Sequence, residues 1–360
     1  MLRFAPSPTG DMHIGNLRVA LFNYIVSRQK NEDLVIRIED TDRSRYVEWS
    51  IQNLIEVLAS VWLIPDEWPN NPWKHWPYFQ SERLDIYRWY VDKLIENGTA
   101  YYCFCSSKRL DELREQQKNL GLPTKYDQNC RYLSKDEIDE KIDKWLPYTI
   151  RLKVPKNRDV SFEDMIKWKV IVNTKDIDDQ ILFKSDGFPT YHLANVIDDH
   201  MMKITHVIRW DEWTPSTPKH ILLYESFGWK PPVFVHIPLL LWNDRKKLSK
   251  RTGDVSVESY LEKGYLVEAL LNYVSLLGWN PKTTREMFTL EELISEFKLE
   301  EVHKAWAVFD VDRLDWFNSK YLVSLDIDTV YNKFITYLHR YDEDFYKTIK
   351  EFLEDYNKNI

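Results

Sequence analysis

Glycine is what this 360-residue sequence most lacks: there are nine, where average usage of ~7% would give roughly 25. Cysteine is scarce too. Its three residues, two of them spaced C-x-C, exclude a disulfide framework and fit a reducing compartment or a metal site. No run approaches the ~20 apolar residues of a membrane-spanning helix. The opening MLRFAPSPTG has neither the charged flank nor the apolar centre of a secretory signal, so the expected setting is cytoplasmic, with no membrane partner. Basic charge is also short: 49 Lys and Arg stand against 57 Asp and Glu, a net −8. Bulk attraction therefore cannot bring nucleic acid to this chain, and any RNA contact must come from local basic patches. Tryptophan is in excess, with 15 residues.

The length is too great for one ordinary core and points to two to four domains. Arg3 to Pro6 reads as a short strand broken by PSPTGD, after which Leu17, Ala20, Leu21, Tyr24 and Ile25 recur at helical spacing. LVIRIED (Leu34 to Asp40) then alternates as a strand does, giving a βαβ-like start to an α/β sheet. Between about 100 and 190 the pattern is mixed, with a cysteine-bearing segment, a charged helix near Lys108 to Lys118 and the strand YTIRLKV; it looks inserted. From Phe188 to Arg251 the runs HVIRW and VFVHIPLLLW return beside a helix over Pro218 to Phe227. Beyond Asp254 the chain reads as helical, with Thr289 and Glu292 placed as a capping box and one or two amphipathic helices in the last 40 residues.

Two stretches carry chemistry. In APSPTGDMHIGN a proline-braced turn with Gly10 and Gly15 lets backbone approach a ligand, and His13 sits before a helix whose N-terminus favours phosphate. The plain alternative is a loop histidine before an ordinary helix. In DRKKLSKRTGD five cations, Arg245, Lys246, Lys247, Lys250 and Arg251, crowd one serine after an apolar strand. Such a run is either solvated surface or a clamp for polyphosphate.

Together these stretches resemble the HIGH and KMSKS signatures of class I aminoacyl-tRNA synthetases, here His13-Ile14-Gly15-Asn16 and Lys247-Leu248-Ser249-Lys250-Arg251. With RFAPSPTG, IRIEDTDRSR, QSERLDIY, PTYHLANVIDDH and PSTPKHILLYESFGW in order, the resemblance is to bacterial-type glutamyl-tRNA synthetases, from Arg3 to about Tyr321. It implies a Rossmann-type α/β catalytic domain (1–100 and 190–253) and an inserted α/β acceptor-stem domain (101–189). A helical stem-contact domain (254–320) and the start of a truncated helical anticodon domain (321–360) would follow. It also implies ATP-dependent ligation of L-glutamate to tRNA-Glu through glutamyl-adenylate, with Mg²⁺ accompanying ATP and a monomeric enzyme that activates glutamate only with tRNA bound. By position, His13 and Lys250, assisted by Lys247, would stabilise the triphosphate, with Gly15 and Asn16 in the ATP site. Arg3 would take the side-chain carboxylate of glutamate and Glu39 its ammonium, as those charges require. Ser7, Tyr191, Asn195, Arg209, Glu212 and Trp213 would line the pocket. Arg209 and Glu212 could equally form a structural ion pair.

The C-x-C segment resembles the zinc-binding insert of some family members. Cys103, Cys105 and Cys130 supply three thiolates and tetrahedral zinc wants a fourth ligand. Tyr126 is the family-like candidate, and Tyr132 stands where others place histidine; the alternative is three inert thiols. Two readings compete with the ligase: the short relative that glutamylates queuosine in tRNA-Asp, and a non-catalytic tRNA-binding paralogue. EALLNYVSLLGWNP and FDVDRLDWFNSKYL, after Arg251, match the full-length enzymes rather than the short relative.

The tryptophan excess follows the same resemblance. Trp49, Trp62, Trp68, Trp73, Trp76, Trp145, Trp168, Trp242 and Trp306 stand where the family typically or plausibly has glycine, and Trp210 where it has a small residue. Trp213, Trp229, Trp279 and Trp316 stand where relatives do have tryptophan, and Trp89 has no assignment. Ten glycine-to-tryptophan exchanges would overpack by ~1–3 kcal/mol each, more than a domain's ~5–15 kcal/mol. The expectation is that these ten codons are UGA, read as glycine in the source lineage. The rival is a real aromatic surface for stacking RNA bases. Trp242, in a turn at positive φ, and Trp306, at a close helix contact, are expected to suffer most.

Overall fold

The computed structural model describes residues 1–248 and 254–358. They form two compact units: Met1–Gly10, Val26–Ile51 and Pro65–Pro238 in the first, and Asp11–Ile25, Gln52–Ile64 and the chain from Leu239 onward in the second.

The first unit holds nine strands: β1 (Leu2–Phe4), β2 (Leu34–Ile36), β3 (Ala100–Cys103), β4 (Thr149–Leu152), β5 (Asp159–Asp164), β6 (Trp168–Asn173), β7 (Ile181–Phe183), β8 (His206–Trp210) and β9 (Val233–Ile237). Six make one sheet in the order β2-β1-β8-β9-β5-β6, parallel except for the antiparallel edge strand β6. The sequence explains the order of burial. β1, β2 and β8 are almost wholly buried, as a parallel sheet covered on both faces requires, with Arg3, His206 and Arg209 among otherwise apolar residues. β5, DVSFED, alternates exposed and buried, and β6 is largely exposed at the edge. β3, β4 and β7 form a separate antiparallel sheet within 100–183. So the segment read as inserted contributes both a sheet of its own and, through β5 and β6, two strands of the main sheet.

The helices Tyr191–Met201, Thr217–Phe227 and Leu84–Glu96 pack with this sheet around a core that includes Val35, Tyr87, Leu193, Val196, Val207 and Leu223. Their placement matters because β8, β9 and the helix Tyr191–Met201 carry Arg209, His236, Tyr191, Asn195, Asp198 and Asp199, described below.

In the second unit the extended residues Met12 and His13 pair with Val255–Val257: Ile14 N–H donates to Val255 O at 2.8 Å and Val257 N–H to Met12 O at 2.9 Å. A two-residue strand, Leu240–Leu241, pairs in parallel with Ala307–Val308. The rest of this unit beyond Asp254 is mainly helical. The capping box of Thr289 and Glu292 is formed, opening the helix Leu290–Glu296, and the last residues make two helices, Ile327–Tyr341 and Glu343–Lys358.

The ten tryptophans expected to stand at glycine or small-residue positions of the family share structural features. Seven of them (Trp49, Trp62, Trp73, Trp76, Trp145, Trp168 and Trp306) are exposed, whereas none of Trp213, Trp229, Trp279 and Trp316 is. Three have left-handed backbone: Trp62 at φ 63°, Trp145 at 55° and Trp168 at 67°. At Trp62, N–H bonds run from Trp62 to Ala59 O and from Leu63 to Leu58 O; at Trp145, from Trp145 to Ile142 O and from Leu146 to Lys141 O. This double bond is the helix ending that normally places glycine at the left-handed position. The same chain builds it with Gly98, Gly121, Gly228 and Gly264. The strain thus falls elsewhere than expected: in the turn after Leu241 the left-handed residue is Arg245, at φ 63°, not Trp242, and Trp306 is exposed rather than wedged.

Candidate functional site

In the first unit, six ionised side chains are buried together. Arg37, at the end of the apolar run of β2, is fully buried; its Nη1 donates to Asp199 Oδ1 (2.8 Å) and its Nη2 to Glu39 Oε1 (3.0 Å). Arg3, on β1, donates through Nε to Asp199 Oδ1 (3.3 Å) and through Nη1 to Ile208 O (3.3 Å). Asp198 accepts from Arg83 Nε (2.8 Å), Gln80 Nε2 (2.9 Å) and the Tyr87 hydroxyl (2.7 Å). Three arginines (3, 37, 83) thus meet three carboxylates (39, 198, 199), so the cluster balances its own charge, as burial demands. The amide of Asn195 fits when its nitrogen donates to Asp199 Oδ2 (3.2 Å) and its oxygen accepts from Arg37 Nη2 (3.1 Å).

The buried Nε of Arg37 makes no hydrogen bond but lies 3.8 Å from Asp198 Oδ2; among the described residues two further atoms of the cluster make none, Nη2 of Arg3 and Oε2 of Glu39. One can receive a carboxylate and the other an ammonium. Burial raises the Glu39 carboxyl above its ordinary value, against the pull of Arg37 and Arg3. An arriving cation would pull it back down.

Arg209, near the end of β8, is buried and makes a different set of contacts. Its Nε donates to His236 Nε2 (3.0 Å), Nη2 to Thr217 Oγ1 (2.9 Å), and Nη1 to the Tyr191 hydroxyl (3.2 Å) and His220 Nδ1 (3.3 Å). The Tyr191 ring lies on Trp213, with centroids 4.2 Å apart. Burial pushes the Tyr191 phenol up, so it stays protonated. Glu212 is exposed and Ser7 is exposed on the loop after β1. Arg209 is therefore occupied by neutral groups rather than by Glu212 in an ion pair.

In the second unit, Gly15 N–H donates to His13 Nδ1 at 2.8 Å at the start of the helix Ile14–Lys30, so neutral His13 carries its proton on Nε2. Asn16, in the first turn of that helix, is half-buried. Lys247 is exposed on the return arm of a hairpin, where Leu248 N–H donates to Leu240 O at 3.1 Å. Lys250, Ser249 and Arg251 lie outside the described residues.

The three cysteines converge. Their sulfurs lie within 4.8 Å of one another. The Tyr126 hydroxyl reaches Cys103 Sγ at 3.3 Å and Cys105 Sγ at 3.5 Å, and it accepts from Cys130 N–H at 3.0 Å. A hydrogen bond from the Cys130 thiol, with others from Tyr126 and Arg151, pulls the Cys103 thiol down to about 4. The three sulfurs, one already favoured as thiolate, supply three of the four donors that a tetrahedral structural zinc site takes, with the Tyr126 phenol oxygen beside them. Tyr132 is exposed.

The family described as "tRNA synthetases class I (E and Q), catalytic domain" matches residues 1–316. Glutamate–tRNA ligase of Alkaliphilus metalliredigens is 50% identical over 344 residues, 94% of this chain and 70% of that protein. Its namesake in Clostridioides difficile is 50% identical over 329 residues, 89% and 67% of the two chains. The chain belongs to the class I tRNA synthetases of the E and Q family. The crystal structure of a glutamate tRNA ligase from Elizabethkingia meningosepticum, determined with its amino acid, superposes on this synthetase with a TM-score of 0.89. Identity there is 40%, covering 94% of this chain and 73% of that one.

Of the residues expected from the sequence, the synthetase's fold sets Arg3, Glu39 and Asn195 in one buried cluster and Tyr191, Arg209 and Trp213 in contact with one another or through Tyr191; the sequence reading did not name Arg37, Asp198, Asp199, His236 and Asp164, which pack with them. A signal was present, since an arginine inside LVIRIED and two aspartates inside ANVIDDH interrupt otherwise apolar faces.

Proposed function

We propose that the chain ligates L-glutamate to tRNA-Glu, consuming ATP through glutamyl-adenylate. The observation that carries this reading is the pair of open atoms in a self-neutralised buried cluster, Arg3 Nη2 and Glu39 Oε2, beside the neutral-partnered cation Arg209. A zwitterion with a second carboxylate is the ligand whose charges such a pocket matches. His13 and Lys247, with Lys250, would hold the triphosphate that arrives with Mg²⁺; the chemistry asks these groups to position and neutralise rather than to react. Residues 1–100 and 190–253 would form the catalytic domain and 101–189 the insert that meets the acceptor stem, an assignment supported by the separate sheet β3-β4-β7. Residues 254–320 would contact the stem, and 321–360 would begin the anticodon-binding region. Zinc, held by Cys103, Cys105, Cys130 and Tyr126, would fix the fold of that insert.

We also read the ten family-glycine tryptophans as glycine in the natural protein. Left-handed backbone at Trp62, Trp145 and Trp168, and helix ends of the glycine type at the first two, support that reading over an RNA-stacking surface, and UGG codons at these positions would refute it.

The test of the ligase reading is charging of tRNA-Glu with radiolabelled glutamate, comparing the parent with Glu39→Gln. The parent should charge, and the variant should need at least about tenfold more glutamate, since it loses a charge-assisted contact. No charging by the parent, in tryptophan or glycine form, would leave a tRNA-binding paralogue.

A further inference from the structure

Arg209 is a buried cation, yet each of its direct partners is neutral: an imidazole on either side, a hydroxyl and a phenol. An acid stands one residue further away, behind His236. Asp164, at the end of β5, accepts His236 Nδ1–H at 2.6 Å and His236 N–H at 3.1 Å through Oδ2, and the N–H groups of Ile166 and Lys167 at 3.0 and 2.8 Å through Oδ1. A carboxylate so placed can only accept, so the proton of neutral His236 sits on Nδ1. Nε2 is then a lone pair facing the Arg209 Nε–H. On the other side His220 Nδ1 accepts from Arg209 Nη1, which puts its proton on Nε2, 3.0 Å from His192 Nδ1.

We infer that Asp164 and His236 are positioning residues that hold Arg209 for the substrate carboxylate while leaving its charge unspent. The inference rests on the glutamate-ligase reading. A carboxylate in the place of His236 would satisfy the same N–H but would neutralise the guanidinium and compete with the substrate. An imidazole, its tautomer locked from behind, fixes the donor's direction at no such cost. Burial keeps His236 neutral, down to about 4, and His220 well below its ordinary value, so neither adds a positive charge beside Arg209 near neutral pH. The same logic assigns a purpose to the β5–β6 hairpin: its turn residues Ile166 and Lys167 aim Asp164, and Asp164 aims His236.

Steady-state charging and glutamate calorimetry on the full chain test this. His236→Ala should raise KM for glutamate about tenfold or more, with KM for ATP within about twofold and kcat largely kept. His236→Gln, which can place an amide oxygen near Nε2, should recover part of that loss. Asp164→Asn retains an acceptor for Nδ1–H and should shift KM less than His236→Ala. Equal losses of kcat in all variants with unchanged KM for glutamate would mean a purely structural role and overturn the proposal. If His236→Ala does not fold, the Gln and Asn variants carry the same decision. A parent that binds glutamate in calorimetry without charging tRNA contradicts the ligase reading alone, and the brace is then judged by the variants' Kd: weakened in His236→Ala supports it, unchanged refutes it. A parent that neither binds nor charges refutes both.

Discussion

At the scale of single residues, the most telling positions are those where side chain and backbone disagree. Trp62, Trp145 and Trp168 hold left-handed backbone, which costs an ordinary L-residue about 1–2 kcal/mol. Trp145, 93% exposed, offsets little of that by burial. Trp145→Gly should therefore stabilise the chain by about 1 kcal/mol, read as a higher urea midpoint at unchanged slope. A lower midpoint would mean that the ring contributes a contact worth more than the strain. Trp168 adds a functional consequence, because it closes the hairpin that aims Asp164. The tryptophan excess and glycine deficit were visible in composition; which tryptophans carry strain was not, since φ depends on where each helix stops. The same division holds in the pocket. Arg3 and Glu39 were legible from their motifs. Arg37 and Asp199 acquire meaning only when β1, β2 and the helix Tyr191–Met201 meet.

At the scale of elements, local chemistry was the most readable part of the chain. The expected capping box of Thr289 with Glu292 is made, and the structure adds a second, Ser134 with Glu137. Less legible was the route of the segment 100–190, because strand pairing across distant sequence, β5 beside β9, leaves no local mark. The cysteine element lies between these cases: C-x-C suggested a metal, and the fold brings Cys130 and Tyr126 to it. Purified chain should hold one zinc by elemental analysis; Cys130→Ser should lose it, and Tyr126→Phe should release it to a weaker chelator. Zinc-free parent protein with a full melting transition would favour inert thiols.

At the scale of the whole molecule, buried neutral histidines set an acid limit. Burial holds His192 and His236 at about 4, with Lys219 and Arg209 adding to the effect at His192, and holds His220 well below its ordinary value. The unfolded chain protonates these rings below about 6.5, so between pH 6.5 and 4 it binds more protons than the folded one. Stability should fall through that window, by up to ~1.4 kcal/mol per pH unit for each such histidine, and the contribution should level off below it. Melting temperatures flat from pH 7 to 5 would contradict the neutral assignment on which the Arg209 brace depends.

Shared sequence over most of the chain and the open Arg3 and Glu39 atoms of the buried cluster converge on the proposed activity. The most direct measurement is ATP–pyrophosphate exchange with the full chain, tRNA-Glu and either glutamate or glutamine. Exchange that requires both the tRNA and glutamate, and that glutamine does not support, is the predicted result. Exchange driven equally by glutamine, or none with any amino acid in the presence of tRNA, would contradict it.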